Sequence, residues 1–463
     1  MRRAWAVFAV CLWAGLASAQ GVSLPNNITR TQLENGVVLI LSEKHDVPLI
    51  GMQATLRGGA VTDPAGKAGL SSLLGELFEK GAGDRGAAEF AEAIDAVGGA
   101  LSASVDLESI SVSGEFLARD AGLMVELLAD MLQRPALDRD ELTRLRDRRI
   151  DLIRAAKDGD PRRLMPTYGS AFLFGEHPYG NAVNGDESSL ANISHRDVLG
   201  YYEDFVGADR LIISVVGDFD AAVMAESLSA ALSEWRPAAV ALPELTAPVP
   251  ETGRRVLLVD KPGATQSYFW IGNIGVAADY AQRAELDVAN TLFGGRFTSL
   301  LMDELRTKAG LTYAARSSLE RPSLPGSVAI VSSTETGSTV AAIDLALSLL
   351  TKIRAEGFAD DMILSGKNYI LGQFPPKLET ASQLAGQLAR LEALGLDASY
   401  INDYGDAVAS ADGEAIRSVI DTVYPVVDDL VFAIIGDAEI IRDDVAKYGP
   451  ITELAITEPR FRP

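Results

Sequence analysis

The stretch Phe293–Arg316, FGGRFTSLLMDELRTKAGLTYAAR, packs four local signals into one run. Gly294 and Gly295 supply a turn that residues with a Cβ resist. Leu300, Leu301 and Leu305 then recur at helical spacing, which predicts a short amphipathic helix, and Gly310 marks its end. From Leu311 through Thr312 and Tyr313 the pattern turns extended, so Arg306 is expected to close the helix and Tyr313 to open a strand. By themselves, an arginine and a tyrosine seven residues apart read as a helix-end cation and a packed aromatic, since the last helical turn favours positive charge.

On either side of this run the same order of elements occurs twice. IISVVGDFD at 212–220 returns as VFAIIGDAE at 431–439, an offset of 219 residues, and GVVLILSEK at 36–44 is answered by RRVLLVDK at 254–261. Self-similarity at one long offset predicts two homologous halves. Between them, 236–253 carries Pro237, Pro243, Pro248 and Pro250 and reads as a semi-rigid linker. In the first half, GVVLIL at 36–41 is a strand, with Ile50–Leu56 expected as its neighbour across the turn at 44–48. Leu70, Leu73, Leu74, Leu77 and Phe78 make a one-faced helix, and Leu101–Leu107 and Ser109–Phe116 alternate as two further strands. Helices follow at Leu123–Leu132, Asp138–Ala156 and His195–Phe205, then the strand Arg210–Val216.

At 463 residues the chain exceeds one ordinary core, and 48% hydrophobic with 23% charged residues marks it as globular. Residues 1–19, MRRAWAVFAVCLWAGLASA, have two arginines, an apolar run shorter than a membrane span and an Ala-Ser-Ala ending, the layout of a cleaved secretory signal. The expectation is a mature chain from Gln20, without a membrane anchor, exported to a compartment such as the bacterial periplasm. Cys11, the only cysteine, falls in that segment, so neither a disulfide nor a cysteine nucleophile is expected in the mature protein. No GxSxG motif offers a serine nucleophile instead. The formal net charge of −23 argues against nucleic acid as a partner. The basic run Arg144, Arg146, Arg148, Arg149 and Arg154 lies among acids and reads as a solvated helix face.

The run from the double glycine through GLTY, with the two-half layout, HPYG at 177–180 and VVGD at 215–218, resembles peptidases of the pitrilysin and insulinase family, zinc enzymes with an inverted HxxEH motif. The resemblance covers nearly the whole mature chain. It implies an α+β fold of two α/β-sandwich halves, each a mostly antiparallel sheet with packed helices, forming a clam-like chamber: an N-terminal half at 20–235, the linker at 236–253 and a C-terminal half at 254–463. A hinge at the linker would open such a chamber. It also implies that Arg306 and Tyr313 reach the scissile peptide and stabilise its transition state.

The family's zinc helix would be Gly69–Ala82, GLSSLLGELFEKGA. Zinc there needs histidines at i and i+4 with a glutamate base beside the second. This chain has Ser72, Gly75 and Glu76 at those places, and a third ligand would fall near Asp151 or Leu152. Glu76 itself reads as a solvated carboxylate. The family's asparagine on the substrate-binding edge strand corresponds to Ser102, beside Ala103. His45, His177 and His195, the remaining histidines, are too far apart in sequence to form a substitute pair. The implied function is a non-catalytic subunit that binds no metal itself and is inactive alone. It would pair with a paralogous HxxEH-bearing, zinc-binding subunit and act on unfolded peptides. The alternatives are an inactive peptide-binding or scaffolding protein of the same fold and an autonomous peptidase with a different metal site.

Overall fold

The computed structural model describes residues 23–463, so the signal-like segment 1–19 with Cys11 lies outside the described residues. The first sheet is built from β1 (Thr29–Gln32), β2 (Val38–Glu43), β3 (Leu49–Arg57), β6 (Ala100–Val105), β7 (Ser109–Leu117) and β8 (Leu211–Gly217), with the small ribbon β4 (Gly81–Ala82) and β5 (Arg85–Gly86) beside it. The second comprises β9 (Arg255–Asp260), β10 (Gln266–Ile274), β11 (Ala315–Glu320), β12 (Ser327–Glu335), β13 (Val431–Gly436) and β14 (Ile451–Ala455).

The strand orders are β1-β2-β8-β3-β7-β6 and β14-β9-β13-β10-β12-β11, the same arrangement twice over the five strands inside β1 and β14. In each, the parallel pair β2 with β8 or β9 with β13 sits next to a run of antiparallel strands; the outer strands differ, β1 running antiparallel to β2 and β14 parallel to β9. The repeat extends to single hydrogen bonds. Lys44 N donates to Gly217 O and Lys261 N to Gly436 O. A carboxylate at the end of the paired strand, Glu43 or Asp260, accepts from the first amide of the following helix, that of Ala221 or Ala438. β8 and β13 are buried throughout, as central strands covered on both faces must be.

One local expectation fails. β2 and β3 are not neighbours, because β8 lies between them, parallel to β2 and antiparallel to β3. The five-residue connection at 44–48 is long enough to step over one strand, since two strand spacings are about 10 Å and an extended residue spans about 3.3 Å.

Each half covers one face of its sheet with its own helices and the other face with a helix taken from the opposite half. Leu384, Ala385, Leu388 and Ala389, on the helix Ala381–Leu394, pack on Val38, Ile40, Ile212 and Val216 of the first sheet. Gly51 in β3 is what permits this approach, as a Cβ there would come within 2.3 Å of Ser382 N. Reciprocally, the helix Met165–Phe174 lies on the second sheet, where Gly169 faces the Trp270 indole and Arg255 donates to the carbonyls of Phe172 and Leu173. The tail returns as well: Phe461 is buried edge-on to Tyr168, and Lys157 Nζ donates to Glu458 O. Opening at 236–253 would therefore uncover both sheets, at about 2 kcal/mol for each exchanged leucine. The segment 236–253 itself has neither helix nor strand. The helix Thr336–Glu356 is long and apolar enough to cross a membrane, but Ala342, Ile343, Ala346, Leu350 and Ile353 are packed in the second core.

Candidate functional site

Leu301 and Leu305 are fully buried in the second core, which turns Arg306, one residue on, towards solvent. The backbone here is wound wider than an α-helix: Thr291–Gly295 and Met302–Lys308 are π-helical, a geometry frequent at functional sites. Gly294 is required because a Cβ would lie 2.2 Å from Ser317 N in β11. Gly310, at φ +64°, ends the helix in left-handed conformation. The returning chain is then tied to β12, with Thr334 Oγ1 donating to Leu311 O at 2.6 Å and Ser332 Oγ to Ala314 O at 2.9 Å. Tyr313 is thus projected outward two residues before β11 begins rather than opening the strand.

The structure brings Arg306 and Tyr313 together, the guanidinium carbon 4.7 Å from the tyrosine ring centre. The same carbon lies 5.0 Å from the ring of Phe297, a residue the sequence reading passed over. Tyr313 is 79% and Phe297 71% exposed. Among the described residues, Arg306 side-chain nitrogens have neither a hydrogen bond nor an ion pair. A cation near two exposed rings keeps its N–H donors free to meet an acceptor. The signal for Phe297 was an aromatic residue directly after the GGR turn, with no apolar periodicity to bury it.

The other predicted residues lie in the first half. Asp63 seats the helix Leu70–Phe78, its carboxylate accepting from Gly69 N at 2.7 Å and Ser71 N at 2.8 Å, and burial pushes its pKa up to about 7. Ser72 Oγ donates to Asn184 Oδ1. Gly75 faces β6 so closely that a Cβ would meet Val105 Cγ2 at 2.7 Å. Glu76 is not simply solvated: it is ion-paired with Arg149, a nearly buried guanidinium from the helix Arg139–Asp158. Asp151 and Leu152, the expected region of a third ligand, both point to solvent, while Leu142, Leu145, Arg149 and Ile153 form the inward face. Arg149 thus belongs to that face, contrary to the reading of its basic run as a solvated surface.

Zinc does not fit this donor set. A hydroxyl held by an asparagine, a glycine and a carboxylate already paired with a fixed cation offer no cage for a second one. Among the described residues, no three His, Cys, Asp or Glu side chains are grouped to hold a metal ion. His45 bonds Asp218, His177 bonds Thr246 O and Tyr179 N, and His195 bonds Leu137 O.

Ser102 and Ala103 lie on β6, the edge of the first sheet. Ser102 is exposed, but Ala103 N, which points away from β7, donates to Glu79 Oε1 at 2.6 Å. That edge donor is already taken. No hydrogen bond, ion pair or ring contact among the described residues links this region to Arg306 and Tyr313.

Two family models match the chain in succession: the insulinase (peptidase family M16) model over residues 38–187 and the peptidase M16 inactive domain model over 192–368. The chain belongs to peptidase family M16. Its relatives include an uncharacterised zinc protease of Mycobacterium leprae, 25% identical over 79% of this chain and 82% of that protein. A non-peptidase homologue of Helicobacter pylori is 23% identical over 87% of this chain and 92% of its own length. Among solved structures, a peptidase M16 inactive domain from Pseudomonas fluorescens superposes with a TM-score of 0.82 at 20% identity, covering 89% of this chain and 98% of that one. This M16 chain therefore has the family's fold in both halves, with Ser72, Gly75 and Glu76 where the resemblance puts the HxxEH residues.

Proposed function

We propose that this chain is the non-catalytic subunit of a two-subunit zinc metallopeptidase. It completes the chamber of an HxxEH-bearing paralogue and presents Arg306 and Tyr313 to the peptide held there. The observation that carries the reading is the contrast between the two halves. The zinc-helix position is closed by the Glu76–Arg149 pair, whereas a half-buried Arg306 and an exposed Tyr313 stand adjacent, their side chains without polar partners among the described residues. In such a complex the metal chemistry belongs to the partner. Arg306 N–H groups donate to the substrate carbonyl, and the Tyr313 hydroxyl donates to the oxyanion that develops as that carbonyl is attacked. The substrate is an unfolded peptide, because a closed chamber admits an extended chain more readily than a folded one. Export to the periplasm, on the strength of residues 1–19, belongs to the same proposal.

The test is hydrolysis of a quenched, unstructured peptide. The mature chain with zinc is expected to be silent, and its mixture with the HxxEH paralogue to exceed the paralogue alone. Chelator-sensitive hydrolysis by the chain alone would mean an autonomous peptidase. Silence of this chain and no gain in the mixture would leave a scaffolding or binding protein.

A further inference from the structure

Phe297 has no place in the proposed chemistry, yet its position is hard to account for otherwise. It is 71% exposed, follows the Gly294–Arg296 turn and contributes nothing to the second core. Its ring lies 5.0 Å from the Arg306 guanidinium, a cation that Tyr313 also approaches at 4.7 Å. The neighbouring Arg296 donates to Ser365 and lies 5.9 Å from the Tyr369 ring, so the turn bearing Phe297 is anchored to the helix Asp360–Gln373.

An arginine on a surface helix ordinarily samples many rotamers, and without an ion pair nothing polar restrains it. Two aromatic faces change this. They attract the cation through their quadrupoles and limit the orientations of its plane, while leaving the N–H donors around its rim free to meet an acceptor. We propose that Phe297 is a positioning residue that holds the Arg306 guanidinium ready for the substrate carbonyl. The proposal rests on the subunit reading above for its effect on turnover, but the ordering of Arg306 is a property of this chain alone. Aromaticity is the decisive property: a leucine would fill similar space and offer no π face, whereas a tyrosine would keep one.

Two measurements test it with Phe297→Leu and Phe297→Tyr. In the full chain labelled with 15N-arginine, with the Arg306 signal assigned from Arg306→Lys, the Nε–H group of Arg306 is expected to be ordered in the native chain and in Phe297→Tyr, and more mobile in Phe297→Leu. In the complex with the HxxEH paralogue, Phe297→Leu is expected to lower kcat about fivefold with KM little changed, and Phe297→Tyr to stay within about twofold of native. Equal Arg306 ordering in the native and Phe297→Leu chains would overturn the proposal, as would an Arg306→Ala loss of turnover that Phe297→Leu does not share in part. If Arg306→Ala leaves turnover unchanged, the subunit reading fails, while loss of ordering in Phe297→Leu would still support the positioning role.

Discussion

Asp63 shows how much of the first half depends on one buried carboxylate. It accepts two backbone N–H groups at the start of the helix Leu70–Phe78, and burial holds its folded pKa at about 7, above the 3.8 of an ordinary aspartate. The folded state therefore binds this proton more tightly than the unfolded chain does. Its stabilising contribution is fully present below about pH 4 and is lost as pH rises through 7. Asp63→Asn is expected to flatten the stability difference between pH 4.5 and 7.5, read from urea unfolding midpoints at each pH; an unchanged slope would assign it to other groups. At this scale the sequence was partly legible. Ser72, Gly75 and Glu76 were readable as departures from a zinc motif because the motif is a fixed local spacing. Arg149 was not, because its pairing with Glu76 depends on how two helices distant in sequence pack. Phe297 was missed for the opposite reason: its partner Arg306 lies only nine residues away, but nothing in periodicity marks an aromatic that stays outside the core.

At the scale of elements, β6 is the place where a peptide would add a strand, and Glu79 stands on it. Its carboxylate occupies the Ala103 amide, in the middle of the free edge, so the helix Leu70–Phe78 caps the strand it packs against. Glu79→Ala is expected to speed amide hydrogen exchange at Ala103 about tenfold or more while costing about 1 kcal/mol of stability; unchanged exchange would show that Glu79 does not guard the edge. Strands and helices themselves were readable from alternation and from the 3.6-residue period, and the helix expected near His195–Phe205 spans those residues. Strand neighbourhood was not. β2 and β3 looked like a hairpin because the connection is short, whereas β8, which begins only at Leu211, inserts between them. The π-helical winding around Arg306 also lay beyond reach, since a leucine spacing does not distinguish it from an α-helix.

At the scale of the whole molecule, each half packs a helix on the other's sheet, and the two halves are expected to unfold together. The repeat at 212–220 and 431–439 announced two sheets of equal plan, but could not show that each borrows a helix from the other. Residues 20–235 produced alone lack the helix Ala381–Leu394 and expose Val38, Ile40, Ile212 and Val216. They are expected to aggregate, and co-production with 236–463 to restore a soluble species seen by sedimentation; a monomeric, cooperatively unfolding 20–235 fragment would contradict the coupling. The most direct measurement of the central claim is the turnover of Tyr313→Phe in the assembled complex, with assembly checked by sedimentation. Loss of the one hydroxyl is expected to lower kcat on the order of 10²-fold with assembly intact. Native turnover in the fully assembled variant would contradict the claim that this chain supplies Tyr313 to the reaction.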